Sequence, residues 1–173
     1  TYSATNGGSV VYNGTNTVCY TSTFTVGSSY TIEFWMKPIT LYNYGDPCGA
    51  SNTSDVDCGI TFVTYADGSM FYAAGNSAGG WGTAATAPAG TFTNNIWYHV
   101  VGTNNNTSMT LYVNTVQKST GTAAGPWTSL SLNVGSRKRG IMYPFNGAVS
   151  SVKVYNRALS SSEINQLFQA SRD

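Results

Sequence analysis

Short alternations of apolar and polar residues, separated by clusters of turn formers, run along almost the whole chain. The clearest is Tyr30-Thr31-Ile32-Glu33-Phe34-Trp35-Met36-Lys37. Ile32, Phe34 and Met36 take one face of this strand and Glu33, Trp35 and Lys37 the other. It stops at Pro38, which has no N–H to give to a ladder. Val10–Tyr12 ends at Asn13-Gly14, and Val18–Phe24 is β-branched and aromatic. Ile60–Ala66 and Ser69–Ala74 flank Asp67-Gly68, a strong hairpin signal. Ile96–Thr103 and Ser108–Val116 are joined by Asn104-Asn105-Asn106-Thr107, where Asn tolerates positive φ. Ser129–Val134 and Gly147–Tyr155 complete the set. Tyr42–Cys58 reads as a polar loop, and Gly75–Gly90 as a Gly/Ala/Thr-rich connection holding Trp81. Turn signals every 8–12 residues or so predict an antiparallel sandwich rather than βαβ units.

One helix breaks the pattern, near the end. Leu159-Ser160-Ser161-Ser162-Glu163-Ile164 reads as a capping box, with Ser160 at the N-cap and Glu163 at the third helical position. Leu159 and Ile164 have the spacing of a hydrophobic staple. Ile164, Leu167 and Phe168 form one apolar stripe, so a short helix should pack against the sandwich.

Composition narrows the function classes. Gly, Thr, Ser and Asn make up close to half of the 173 residues, and charged residues only 9%, with a formal net charge of +1. A near-neutral chain is a poor fit for nucleic acid, whose affinity comes from neutralised phosphates. With 41% hydrophobic and 13% aromatic residues, disorder is excluded in favour of one domain over 1–173, long enough for a single core. No apolar stretch is long enough to span a membrane or to form a signal-peptide core. The chain begins at Thr1, and so reads as processed or as a fragment of a longer polypeptide. Of its three cysteines, Cys48 and Cys58 flank one polar loop and are placed to close it as a disulfide. The N-x-S/T sequons at Asn13, Asn52, Asn105 and Asn106 carry little weight in so Asn-rich a chain. Together these features point to an exterior location: extracellular, cell-surface or virion.

Three stretches resemble the laminin-G-like, concanavalin-A-like jelly rolls. Tyr30–Pro38 is similar to that group's F-T-[IV]-x-[FA]-W-[VIM]-K strand. Trp97-Tyr98-His99-Val100-Val101 followed by Leu111-Tyr112-Val113-Asn114 resembles its W-x-H-[VI]-[VA] … L-Y-[VI]-[ND]-G hairpin, with Thr115 where the group has Gly. Asn133-Val134-Gly135-Ser136 and Phe145–Ser160, followed by Glu163-Ile164, resemble its closing strand and helix. The resemblance covers most of residues 18–170. It implies an all-β, two-sheet antiparallel jelly-roll sandwich with one short C-terminal helix. Among relatives of this kind many bind glycans or glycoproteins, some hold calcium at the rim, some are enzymes, and many are appended to larger proteins, including phage tail, fibre and capsid proteins.

Catalytic chemistry finds little material here. Two Glu and five Asp are all the acids, and the E-x-D-x-x-E strand of the group's glucanases is absent. Glu163 is accounted for by the helix cap and Asp67 by a turn. The lone His99 reads as a packed strand histidine with a satisfied hydrogen bond. The chain is therefore read as non-catalytic.

Two loops carry most of the charge. Asp46, Asp55 and Asp57 fall within twelve positions, with Asn43 and Asn52 nearby, a donor set suited to calcium. Arg137-Lys138-Arg139 forms a basic triplet before the last strand, suited to an anionic glycan or to an acidic subunit surface. Ligand-facing candidates are the loop aromatics Trp81, Trp127, Tyr42, Tyr44 and Tyr143, with Asn76, Arg137 and Arg139; Trp35 and Trp97 are assigned to strands and core. The expected partner is carbohydrate or glycoprotein. The alternative is a structural or decoration subunit of a phage or virus particle or fibre, packing through the nearly uncharged 59–117 stretch against other protein chains.

Overall fold

The computed structural model describes residues 2–3, 8–52, 59–75, 82–122, 127–137 and 142–171. Along the chain the strands are β1 (Tyr2–Ser3), β2 (Ser9–Asn13), β3 (Cys19–Tyr20), β4 (Phe24–Val26), β5 (Ser29–Pro38), β6 (Gly45–Asn52) and β7 (Gly59–Thr64). They continue as β8 (Met70–Ala74), β9 (Ala85–Ala87), β10 (Tyr98–Asn105), β11 (Ser108–Val113), β12 (Val116–Thr122), β13 (Trp127–Val134) and β14 (Asn146–Tyr155). The helix α1 (Ser161–Ala170) follows. The helix-side sheet has the order β1-β2-β14-β5-β10-β11-β12. The opposite sheet runs β3-β13-β6-β7-β8-β9, with β4 also pairing β13. All named strand pairs are antiparallel, as the two-sheet reading requires.

Alternation builds the core between the sheets. Ile32, Phe34, Met36, Val100 and Leu111 from one sheet meet Ile60, Phe62, Tyr72, Leu130 and Leu132 from the other. Phe34 meets Phe62 edge-on at 5.0 Å, and Phe62 stacks on Tyr72 at 4.5 Å. Nearly all of β5 is buried on both faces, because α1 covers its outer side. Trp35 stacks on Phe168 at 5.6 Å and donates from Nε1 to Ser171 Oγ. Val101, Leu159 and Ile164 form a second apolar cluster beneath the helix. The helix starts where expected: Ser160 Oγ accepts from the Glu163 N–H, and the Glu163 carboxylate accepts from the Ser160 N–H. The Arg157 guanidinium grips that carboxylate at 3.0 and 2.6 Å and holds it well below the usual carboxylate range.

The same outer face encloses a small ionic network. Glu33 and His99 are both fully buried, 3.1 Å apart. Tyr155 donates to Glu33 at 2.7 Å, and Lys153 Nζ lies 3.4 Å away. An ionised carboxylate only accepts, so the His99 proton sits on Nε2 and leaves Nδ1 with no hydrogen-bond partner. Burial alone would raise the Glu33 carboxyl. Hydrogen bonds from His99 and Tyr155, with the Lys153 charge, overcome this and hold it below its ordinary value.

Several expectations are corrected. Tyr42–Cys58 is not one polar loop, because β6 runs through it as a central strand between β13 and β7. Gly-Asp-Pro-Cys-Gly-Ala-Ser-Asn has no bulky alternation to announce a strand, and Pro47 is tolerated at a bulge between Gly45 and Cys48. That strand turns Cys48 into the core as a free buried thiol, so the Cys48–Cys58 disulfide is not formed. Cys58 lies outside the described residues. Val18–Phe24 is divided into β3 and β4, each pairing β13. Trp127 opens β13 opposite Val26 rather than lying in a loop. Trp97 stands just before β10, half-buried, with Lys37 Nζ 5.5 Å from its ring centre. Strands β9 and β12 were unmarked by alternation, β12 because it is a polar, largely exposed edge.

Those two strands close one side of the sandwich. Thr122 N–H donates to the Thr83 carbonyl at 2.8 Å, and Thr86 N–H donates to Ser119 Oγ. Asn114 and Thr115 join β11 to β12 with φ of 49° and 70°. Two consecutive left-handed residues in a two-residue hairpin favour Asn-Gly, and a β-branched Thr is strained in the second place. Thr115→Gly should therefore raise stability by about 1 kcal/mol. Urea denaturation checks this, and a lower midpoint would contradict it.

Candidate functional site

With one outer face occupied by α1, the other sheet offers its outer face for binding. Cys48, Ala50, Ile60, Phe62, Leu130 and Leu132 belong to the core. Alternation therefore sends Gly49, Ser51, Thr61, Ser131 and Asn133 outward. These residues are buried, and two of them, Ser51 and Asn133, are bonded to each other. Asn133 Nδ2 donates to Ser51 Oγ at 2.7 Å and to the Arg137 carbonyl at 3.2 Å. Thr61 donates through a short hydrogen bond to Asp46 Oδ2. Asp46 Oδ1 and Asn133 Oδ1 have no hydrogen-bond partner. Burial pushes the Asp46 carboxyl up to about 8, with the Thr61 hydrogen bond and the Arg137 charge opposing it only in part.

Above this floor stands an arc of rings. Tyr44 is 48% exposed and stacks on Tyr143 at 5.1 Å. Tyr44 also meets Tyr65 at 5.4 Å, and Tyr65 meets Phe71 at 5.5 Å. The Arg137 guanidinium lies 5.4 Å from the Tyr143 ring centre, a cation–π contact. Both Tyr44 and Tyr143 have left-handed backbones, with φ of 68° and 56°, which bulky side chains seldom adopt. Strain of this kind clusters where a side chain is held for a purpose. Arg137 is anchored at both ends of its peptide: its N–H donates to the Met142 carbonyl at 2.8 Å, and its carbonyl accepts from Asn133. The two ends of the arc, Phe71 and Arg137, also line a cleft of about 270 Å³ whose other described lining residues are Ala73, Gly82, Ala84 and Thr86.

Three of the sequence candidates, Tyr44, Arg137 and Tyr143, thus converge from distant positions. Tyr42 does not join them: its hydroxyl is turned to the Pro144 carbonyl as a strut under the rim. Trp127 stands at the far end of β13 from Arg137. Trp81, Asn76, Arg139, Asp55 and Asp57 lie outside the described residues. Asp46 lies in a strand, buried and held against Thr61, not in a solvated acidic loop. Tyr65 and Phe71 escaped the sequence reading because they sit among strand and hairpin residues. The signal that finds them is the outward parity of Phe71 in β8 beside inward Met70 and Tyr72.

Two antiparallel sheets with a rim-to-face aromatic arc define a lectin-type jelly-roll sandwich. The chain belongs to the laminin-G type of the concanavalin A-like lectin/glucanases superfamily, whose family model matches residues 10–165. No curated protein sequence matches it. Solved structures with the same fold include domain 4 of AbnA, a GH43 extracellular arabinanase from Geobacillus stearothermophilus, in complex with arabinotriose. It is 22% identical, with TM-score 0.77 over 97% of this chain and 80% of that one. A heptameric SAP-like pentraxin from Limulus polyphemus is 16% identical, with TM-score 0.74 over 92% of this chain and 81% of that one. The botulinum neurotoxin serotype D ligand binding domain in complex with N-acetylneuraminic acid is 13% identical, with TM-score 0.70 over 94% of this chain and 42% of that one. Among the described residues no helix is long and apolar enough to cross a membrane.

Proposed function

We propose that the chain is a non-catalytic recognition domain that binds carbohydrate, free or on a glycoprotein, through the outer face of the sheet carrying β6, β7 and β8. The observation that carries this reading is the series of ring contacts Phe71–Tyr65–Tyr44–Tyr143–Arg137 on that face, whose ends Phe71 and Arg137 line one cleft. Aromatic rings present flat apolar area at little conformational cost, which suits the apolar face of a pyranose. A fold similar to a domain solved with arabinotriose and to one solved with N-acetylneuraminic acid supports it. The non-catalytic part rests on where the described carboxylates lie. Glu33 is beneath α1, Glu163 caps it, Asp46 is buried in the sheet against Thr61, and Asp67 closes a turn, so none of these pairs across the cleft. Paired acids of the kind glycosidases use need separations of about 5–9.5 Å.

Binding to an immobilised oligosaccharide panel tests the proposal. Tyr44→Ala and Tyr143→Ala should each weaken binding at least about tenfold while leaving the melting temperature close to that of the parent. Binding to no oligosaccharide, or undiminished binding by both variants, would count against it. A stable oligomer burying this same face would favour the alternative of a structural subunit that packs on other protein chains. Calcium enters the reading only through Asp55 and Asp57, since Asp46 is held against Thr61 beneath the surface. A melting temperature higher in calcium than in EDTA supports an ion there, and an unchanged one rejects it.

A further inference from the structure

We infer that Tyr42 and Asn43 are positioning residues for the proposed site, acting on a saccharide through the rings of Tyr44, Tyr65 and Tyr143, which they hold in one arrangement. This deepens the proposal above and rests on it. Three consecutive residues in the turn before β6 do the work. Tyr44 is the hub: its ring lies 5.1 Å from Tyr143 at an interplanar angle of 27°, and 5.4 Å from Tyr65 at 61°. Each of the two residues before it bonds to the backbone just beyond one of those ring partners. The Tyr42 hydroxyl donates to the carbonyl of Pro144, which follows Tyr143. Asn43 Oδ1 accepts from the N–H of Ala66, which follows Tyr65, at 3.2 Å. The 42–44 turn is thus tied to both segments that its own ring must meet. Asp46 N–H adds a third tie, to the Tyr143 carbonyl at 2.9 Å.

These ties have something to hold against. Tyr44 and Tyr143 both have left-handed backbones. A bulky residue freed from its surroundings returns from that region to the ordinary α or β one, and either move would swing its ring away from its partner. The three segments are far apart in the chain, so no local preference restores the pairing. A saccharide that met loose rings would have to order them on binding, and that cost is subtracted from affinity. With both braces made, the ordering is complete before binding. Neither Tyr42 nor Asn43 has to touch a sugar for its loss to be felt.

Tyr42→Phe removes one hydroxyl and keeps the half-buried ring in place. It should weaken binding of the panel oligosaccharide that the parent holds most tightly by about threefold to tenfold, the cost of ordering one side chain, with a melting temperature near the parent value. Asn43→Ala should act in the same direction, and the Tyr42→Phe/Asn43→Ala double variant more strongly than either. In the free protein, NMR should show the ring protons of Tyr44 and Tyr143 moving toward the shifts of unstacked tyrosine in the double variant, a signature that a general loss of stability would not give. A double-mutant cycle separates positioning from contact: in a Tyr44→Ala background, Tyr42→Phe should lose most of its effect on binding. Unchanged affinity or unmoved ring shifts in the double variant overturn the inference and leave carbohydrate recognition standing. So does an equal loss of binding with and without the Tyr44 ring. A parent protein that binds no oligosaccharide of the panel overturns both.

Discussion

Replacing Asp46 by Asn is expected to leave stability unchanged near pH 4 and to raise it by several kcal/mol at pH 8–9. The carboxyl is fully buried between β6 and β7, with one oxygen on Thr61 and the other without a partner. Folding moves it from its ordinary 3.8 up to about 8, so the native state holds the proton more tightly than the unfolded chain does. Its contribution is fully present below the ordinary value, where both states are protonated. It is lost as pH rises from there through the folded value, because the unfolded chain ionises first. A rise from 3.8 to about 8 corresponds to a loss on the order of 5 kcal/mol. Asn reproduces the shape and hydrogen-bonding of the neutral acid without a proton to lose. Urea midpoints measured in EDTA from pH 4 to pH 9 check this. Parent and variant curves that stay parallel across the range would refute it.

The second large effect lies on the opposite face. Glu33→Ala should cost about 3–5 kcal/mol, since removing one partner of a buried ionic group strands the others. The Tyr155 hydroxyl and the His99 Nε2–H would lose their acceptor beneath α1, and Lys153 its counter-charge. The pH dependence has the reverse sign to that of Asp46. Glu33 is held below its ordinary value, so its contribution is present above that value and is lost as pH falls through the lowered one. Glu33→Gln should be milder than Ala and should flatten this acid limb. Denaturation at pH 3–7, followed by the fluorescence of Trp35 against Phe168, separates the two variants. A Glu33→Ala protein as stable as its parent would show that the network contributes nothing.

How much of this was readable from the chain follows from what each residue does locally. Strand β5 announced itself because its inner and outer positions alternate in chemistry, while nothing in that alternation signalled that Glu33 on its outer face would be buried. The Ser160–Glu163 box and Asp67-Gly68 were legible because their hydrogen bonds are made within a few residues. Strand β6 was not, because only its neighbours β7 and β13 make Gly-Asp-Pro-Cys extended. The same fact overturned Asp46 as a loop residue and Cys48 as half of a disulfide. For the site, the residue types Tyr44, Tyr143 and Arg137 were visible, while their convergence was not. It depends on the 142–145 segment running beside β6, with Asp46 N–H bonded to the Tyr143 carbonyl at 2.9 Å. Such contacts across nearly a hundred residues leave no local periodicity.

The seam between β9 and β12 has a colloidal consequence. Sheet edges are where folded β proteins coalesce, because unsatisfied strand donors recruit a second chain. Here the terminal strands of opposite sheets bond to one another through Thr122, Thr83, Thr86 and Ser119. That flank offers little to an incoming strand, so the domain should tolerate crowding at high density without growing into fibrils from that side.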